Sequence, residues 1–180
     1  PLARWSRNAW RGLGSLMSLF DNPEYRWRET YLLFHKKTHR ASVDKIRHAI
    51  SGIRGHYQIE QLVANAHGDF ESATVLAEEA FSAIDMIYVE DDQIHEQILE
   101  IQTEMKEVLE DPEDLAMLEG LGEYDARIDL LHFERLTGDF TGDEEDLNSC
   151  FDPVALLAVA DKWTLLTGGV CLDPASATIL

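Results

Sequence analysis

Between Tyr88 and Glu100 the chain reads YVEDDQIHEQILE, which places Asp91, Asp92, His95, Glu96 and Glu100 within three helical turns of one another. If Asp92 opens a helix, Asp92, His95 and Glu96 stand at i, i+3 and i+4, as neighbours on one surface. Carboxylate and imidazole at that spacing can supply two or three ligands to a first-row metal. A di-iron bundle would want Glu-x-x-His on two helices, and only one Asp-x-x-His is present. Zinc would want a further imidazole or thiolate, for which His132 is the remote candidate. Capping is the stronger expectation, because acids in a first turn stabilise the positive end of the helix dipole and Asp is a preferred N-cap. Glu96, Glu100, Glu104 and Glu107 then continue a polar face opposite the isoleucines. No cofactor is expected.

A second group is cationic. Lys36, Lys37, Arg40, Lys45 and Arg47 lie near a helix predicted to begin at Ser42, whose amides would add to their attraction for a phosphate or carboxylate. His35 and His39 in HKKTH would project to one side of a continuous strand. A third group, Asp125, Arg127, Asp129, His132 and Glu134, falls on one strand. His132 and Glu134 share a face there and could do acid–base work. The plainer reading is an alternating strand with one solvent face. Neither GLG, at 12–14 or at 120–122, belongs to a phosphate-binding pattern. Cys150 and Cys171 form no CxxC, which fits buried packing in a reduced, cytoplasmic protein.

The totals set the frame for these groups. With 180 residues, 45% hydrophobic and 27% charged, the chain suits one ordinary soluble domain. No apolar run approaches the roughly 20 residues that span a bilayer. The net charge of −19 argues against nucleic-acid binding. That charge is polarised: residues 1–54 carry +7 and residues 55–180 carry −26. The basic segment is expected to meet an acidic one in the same molecule or in a partner.

Residues 1–22 read as an amphipathic basic arm, with Leu2, Trp5, Ala9, Leu13, Leu16 and Phe20 on one stripe and Arg4, Arg7 and Arg11 on another. Such a helix can contact an anionic membrane surface through residues 1–20. Covering the domain's own core or a second subunit is favoured, because three arginines make a marginal anchor. Residues 23–76 spell strand, helix, strand, strand, with Trp27, Glu29, Tyr31 and Leu33 on one side of the first strand. Gly68 serves the turn that follows the second. Residues 77–123 contribute one strand and a long acidic helix that stops or bends at Asp111–Pro112. Residues 124–180 again give strand, helix, strand, strand, with Asp152 and Pro153 opening the helix.

ESATVL (71–76) and ASATIL (175–180) match at four of six positions, and YRWRETYLLF and YDARIDLLHF align upstream of them. The expected fold is therefore α+β: two β-α-β-β units, ferredoxin-like in character, forming an antiparallel-rich sheet with helices packed on one face. The segments WRETYLLFHKKTHRASVDKIRHAI, FESATVL, MIYVED and GGVCLDPASATIL resemble an uncharacterised conserved family of environmental bacteria over most of residues 25–180. That resemblance implies no activity, cofactor or residue role. Function is read as a non-enzymatic binding or interaction domain, a homodimer or one bound to a protein partner. The alternative is a metal-dependent enzyme or small-ligand sensor using the acidic–histidine cluster at 91–100.

Overall fold

The alternating run after the Asn22–Glu24 turn forms β1 (Tyr25–His35), the strand around which the other elements assemble. The computed structural model describes residues 19–136 and 153–180. Residues 1–18 of the arm expected over 1–22, and the acidic stretch 137–152 with Cys150 and Asp152, lie outside them, while Leu19–Asp21 form a 3-10 turn.

From β1 the chain continues through a short 3-10 turn into α1 (Val43–Ser51), then β2 (Tyr57–Ala64) and β3 (Phe70–Ala77). β4 (Ser82–Val89), α2 (Ile94–Met105), α3 (Pro112–Gly120) and β5 (Ala126–Arg135) follow. α4 (Val154–Thr167), β6 (Val170–Asp173) and β7 (Thr178–Ile179) complete the order. The seven strands of the described residues join one sheet in the order β2-β3-β4-β5-β1-β6-β7, and every neighbouring pair is antiparallel. The fold class is α+β.

Helices cover both faces of the sheet, which corrects the one-faced expectation. On one face Ile46 and Ile50 of α1 and Ala155, Leu156, Val159 and Trp163 of α4 pack on Tyr31, Leu33, Ile84, Met86, Ile128 and Leu130. On the other, Ile94, Ile98, Ile101 and Met105 of α2 and Leu118 of α3 pack on Leu32, Phe34 and Leu172. The physical reason is visible in β1 and β5, whose alternate residues on both sides are apolar, so neither face of the central pair can be left wet. β5 is accordingly buried along both faces rather than half-solvated, and Arg127, Asp129 and His132 are interior residues.

Local chemistry explains most element ends. Asp111 caps α3 by accepting the Glu113 amide at 2.7 Å, and Pro112 supplies the first helical residue. α2 ends at Met105, several residues before Asp111, and Val108 is exposed. Gly68 (φ +84°) and Gly168 (φ +64°) hold left-handed positions, at the β2–β3 turn and at the end of α4. β1 carries a bulge between Trp27 and Glu29. It corrects the simple alternation expected there: Trp27 turns to the side of Thr30, donating to its hydroxyl at 3.0 Å, while Arg26 and Glu29 come to share the opposite face.

The two matched hexapeptides occupy different positions. ESATVL lies wholly within β3, whereas ASATIL spans the β6–β7 turn and β7, with Ser176 Oγ donating to Asp173 at 2.6 Å. Among the described residues no helix is long and apolar enough to cross a membrane.

Candidate functional site

At the sheet end where β1 and β4 finish, a cleft of about 540 Å³ opens between the β1–α1 connection and the start of α2. It is lined by Lys37 and Arg40 from that connection, Tyr88 and Glu90 from the end of β4, Asp91, Asp92 and His95 around the start of α2, and Asp125 before β5, with Glu71 of β3. The volume is in the range of small-molecule pockets. Two groups read separately in the sequence, one cationic and one acidic, thus meet here.

The cations are already committed. Arg40 donates twice to the Phe70 carbonyl, at 2.9 and 2.7 Å, and its guanidinium lies 3.6 Å from the centre of the Tyr88 ring. The Lys37 amide donates to Asp125 at 2.7 Å, and its ammonium stands 3.8 Å from Glu90 and 4.0 Å from Asp125. Tyr88 donates to Glu90 at 2.8 Å, and burial together with that carboxylate pushes its phenol well above the usual range. His35 lies behind this wall, fully buried, with ring centres 5.9 Å from Tyr88. Its Nδ1 donates to the Lys36 carbonyl, Nε2 has no hydrogen-bond partner, and burial holds the imidazole below its ordinary pKa. Five carboxylates therefore face two engaged cations, which leaves the lining three charges negative.

The remaining expected anion-binding residues are elsewhere. Lys36 pairs with Glu123 at 3.7 Å, and Lys45 and Arg47 are exposed on α1. Ser42 occupies the N-cap without a side-chain hydrogen bond, and the Val43 amide is taken by the Gly68 carbonyl. The five cations do not form one grip, because the helix they flank is sealed by the β2–β3 turn. His39 is not an extension of β1 but sits in the 3-10 turn, with Nδ1 2.9 Å from the Thr167 carbonyl.

Asp92, His95 and Glu96 are all exposed, and Asp92 precedes the helix, whose N-cap is Gln93. The capping contact comes instead from Asp91, which accepts the Gln93 amide at 2.8 Å. Among the described residues no three His, Cys, Asp or Glu side chains converge as a metal ion requires. The spacing was metal-like; the orientation is that of a solvated first turn.

The third group divides between the two faces. Arg127 clasps Asp129 at 2.5 and 3.0 Å and also reaches Gln97 of α2. Burial pushes the Asp129 carboxyl up, against the opposing pull of Arg127. His132 and Glu134 share the opposite face, which also carries Glu134's cations. Glu134 accepts from Arg26 at 2.8 Å and lies 3.7 Å from Arg28. The acid beside His132 is Glu29, with Oε1 3.1 Å from Nδ1, and Ser82 Oγ is 2.8 Å from Nε2. Ser82 and Glu29 carried no motif; only the bulge in β1 and the β4–β5 register bring them to His132.

Comparison with protein-family models, with curated proteins and with solved structures returns no match, so the site is interpreted from its own chemistry.

Proposed function

We propose that the protein is a binding domain and that the cleft beside Tyr88 takes a small organic cation, an amine in chemical class. The supporting observation is the charge of its wall: Glu71, Glu90, Asp91, Asp92 and Asp125 face Lys37 and Arg40, whose charges are already held by neighbours. A cationic group entering there replaces water around like charges and relieves their repulsion. Tyr88 and Ile94 supply the apolar part of the wall. The anion reading is less favoured, because an added phosphate would meet three uncompensated carboxylates.

The experiment is a thermal-shift and calorimetric titration with 1,4-diaminobutane, succinate, inorganic phosphate and Mn²⁺ as separate probes. The diamine is expected to raise the Tm, with its effect weakened by salt and by Asp92→Asn or Glu71→Gln. Stabilisation by phosphate or succinate, with none by the diamine, overturns the proposal. Saturable stabilisation by Mn²⁺ alone restores the metal-dependent alternative at 91–100. The same proposal carries a homodimer or a protein partner in the cytoplasm, and a ferredoxin-like character for the two β-α-β-β units. Sedimentation velocity of the full chain tests the dimer.

A further inference from the structure

At the opposite end of the sheet, on the face covered by α1 and α4, three adjacent strands bring together Ser82, His132 and Glu29. The proton positions follow from the partners. A carboxylate can only accept, so His132 Nδ1 carries the hydrogen and donates to Glu29 Oε1 across 3.1 Å. In the neutral imidazole Nε2 is then a bare acceptor, and Ser82 Oγ donates to it across 2.8 Å. Nucleophile, base and orienting acid are thus joined in the order that serine acyl transfer requires.

Three further features converge on the same place. Phe81, immediately before Ser82, is a non-glycine residue at φ +46° and ψ +45°, a strained position that sharpens the turn into β4. The β1 bulge is what puts Glu29 and Arg26 on one face. Arg26 and Ser82 flank Glu134 from opposite sides in the strand register. Two inter-strand spacings, about 10 Å, separate their backbones. The Arg26 Nε donor is buried with no hydrogen-bond partner, although its guanidinium holds Glu134 at 2.8 Å. Arg26 Nε is thus an unmatched buried donor on the sheet face that carries Ser82 and His132, of the kind a developing oxyanion accepts from.

We propose that Ser82, His132 and Glu29 form an acyl-transfer centre for a small carboxylic ester, with Arg26 Nε facing the carbonyl oxygen. Ser82 Oγ bonds to the acyl carbon while His132 Nε2 takes the hydroxyl proton. The bond to the leaving alkoxide breaks, and that oxygen takes the proton from Nε2. Water then attacks the acyl-serine and gives a proton to Nε2. The carboxylic acid leaves as Ser82 Oγ recovers its hydrogen. Ser82 and His132 are buried, while Glu29 and Arg26 keep 23% and 35% of their side chains exposed, so access runs along β1 and favours a short acyl group.

The full chain is mixed with p-nitrophenyl acetate, quenched in acid and peptide-mapped. The expected result is a burst of one equivalent of nitrophenolate ahead of slower turnover, with acetylation of the peptide containing Ser82. Ser82→Ala should abolish both. His132→Asn should slow acylation on the order of 100-fold. Glu29 is a positioning residue, and Glu29→Gln should slow acylation and change its pH dependence, which a simple loss of packing would not. Acetyl groups confined to lysines, or a burst that survives in Ser82→Ala, overturns the proposal. If a variant fails to fold, the peptide map of the unaltered chain decides alone.

Discussion

Asp129→Leu removes one half of an ion pair that stands between β5 and α2. Arg127 and Asp129 are 5% and 0% exposed, joined at 2.5 and 3.0 Å, and Arg127 also donates to Gln97. Without the carboxylate the guanidinium stays buried with one neutral acceptor. Breaking such a pair costs about 3–5 kcal/mol, because the stranded charge loses its compensation without regaining water. A chain of this size loses about 2–4 °C per kcal/mol, so the Tm should fall on the order of 10 °C. Adding Arg127→Met in the same chain removes the stranded charge and should restore most of the loss, since apolar replacements of such pairs are near neutral. Urea denaturation of the unaltered chain, both single variants and the double variant gives the coupling directly. The reasoning is refuted if Asp129→Leu lies within about 1 kcal/mol of the parent, or if the double variant is no more stable than Asp129→Leu. Because Gln97 belongs to α2, which begins at the cleft wall, the same single variant should weaken diamine binding at the other proposed site.

Two further outcomes follow from the packing around His35. A Cβ added at Gly169 would stand 2.3 Å from the Phe34 carbonyl oxygen and 3.0 Å from His35 Cβ, so Gly169→Ala should cost on the order of 3 kcal/mol in denaturant titrations. Gly168→Ala, strained at φ +64° but with open space around it, should cost only about 1 kcal/mol, and equal losses at the two positions would contradict this account. His35 itself is buried with its pKa lowered, chiefly by desolvation, among Asp125, His39 and Arg40. The unfolded chain therefore takes up its proton first: the contribution is fully present above pH ~6.5 and is lost as pH falls through the lower folded value. Stability should decline toward pH 5 with a slope of up to about 1.4 kcal/mol per unit from this residue, and His35→Phe should flatten it. An unchanged slope in that variant would assign the acid sensitivity elsewhere.

Much of the element order was readable because local signals agreed. The stripe Ile94, Ile98, Ile101, Met105 has helical spacing, and Asp111–Pro112 states a boundary in capping terms. Gly68 marked its turn for the same reason. The layering was not readable, because a strand pattern such as IDLLHF (128–133) is compatible with one buried face or two until its neighbours are known. Ile128 and Leu130 look toward α4's side while Asp129 looks toward α2's, and only the pairing of β5 with both β1 and β4 shows that each side is covered. The bulge at Trp27–Glu29 was equally hidden, since an alternating sequence carries no sign of one extra residue.

The sites divide along the same line. Asp91, Asp92 and His95 could be flagged by type, yet their role depends on Lys37, Arg40 and Tyr88 arriving from distant segments. His132 was noticed with Glu134, which shares its face and is held by Arg26 and Arg28, whereas Glu29, which also reaches the imidazole, comes from another strand. The polarised charge explains why this happens. Arg26, Arg28, Lys36 and Lys37 from the basic third pair with Glu134, Glu123, Glu90 and Asp125 from the acidic remainder. The exposed lysine pairs among them add little stability, about 0–1 kcal/mol each. The effect of all these pairs is assignment: by occupying Glu134 and Lys37, they leave Glu29 to orient His132 and leave the cleft wall negative. Each proposed site is thus defined by which charges the long-range pairs have already taken.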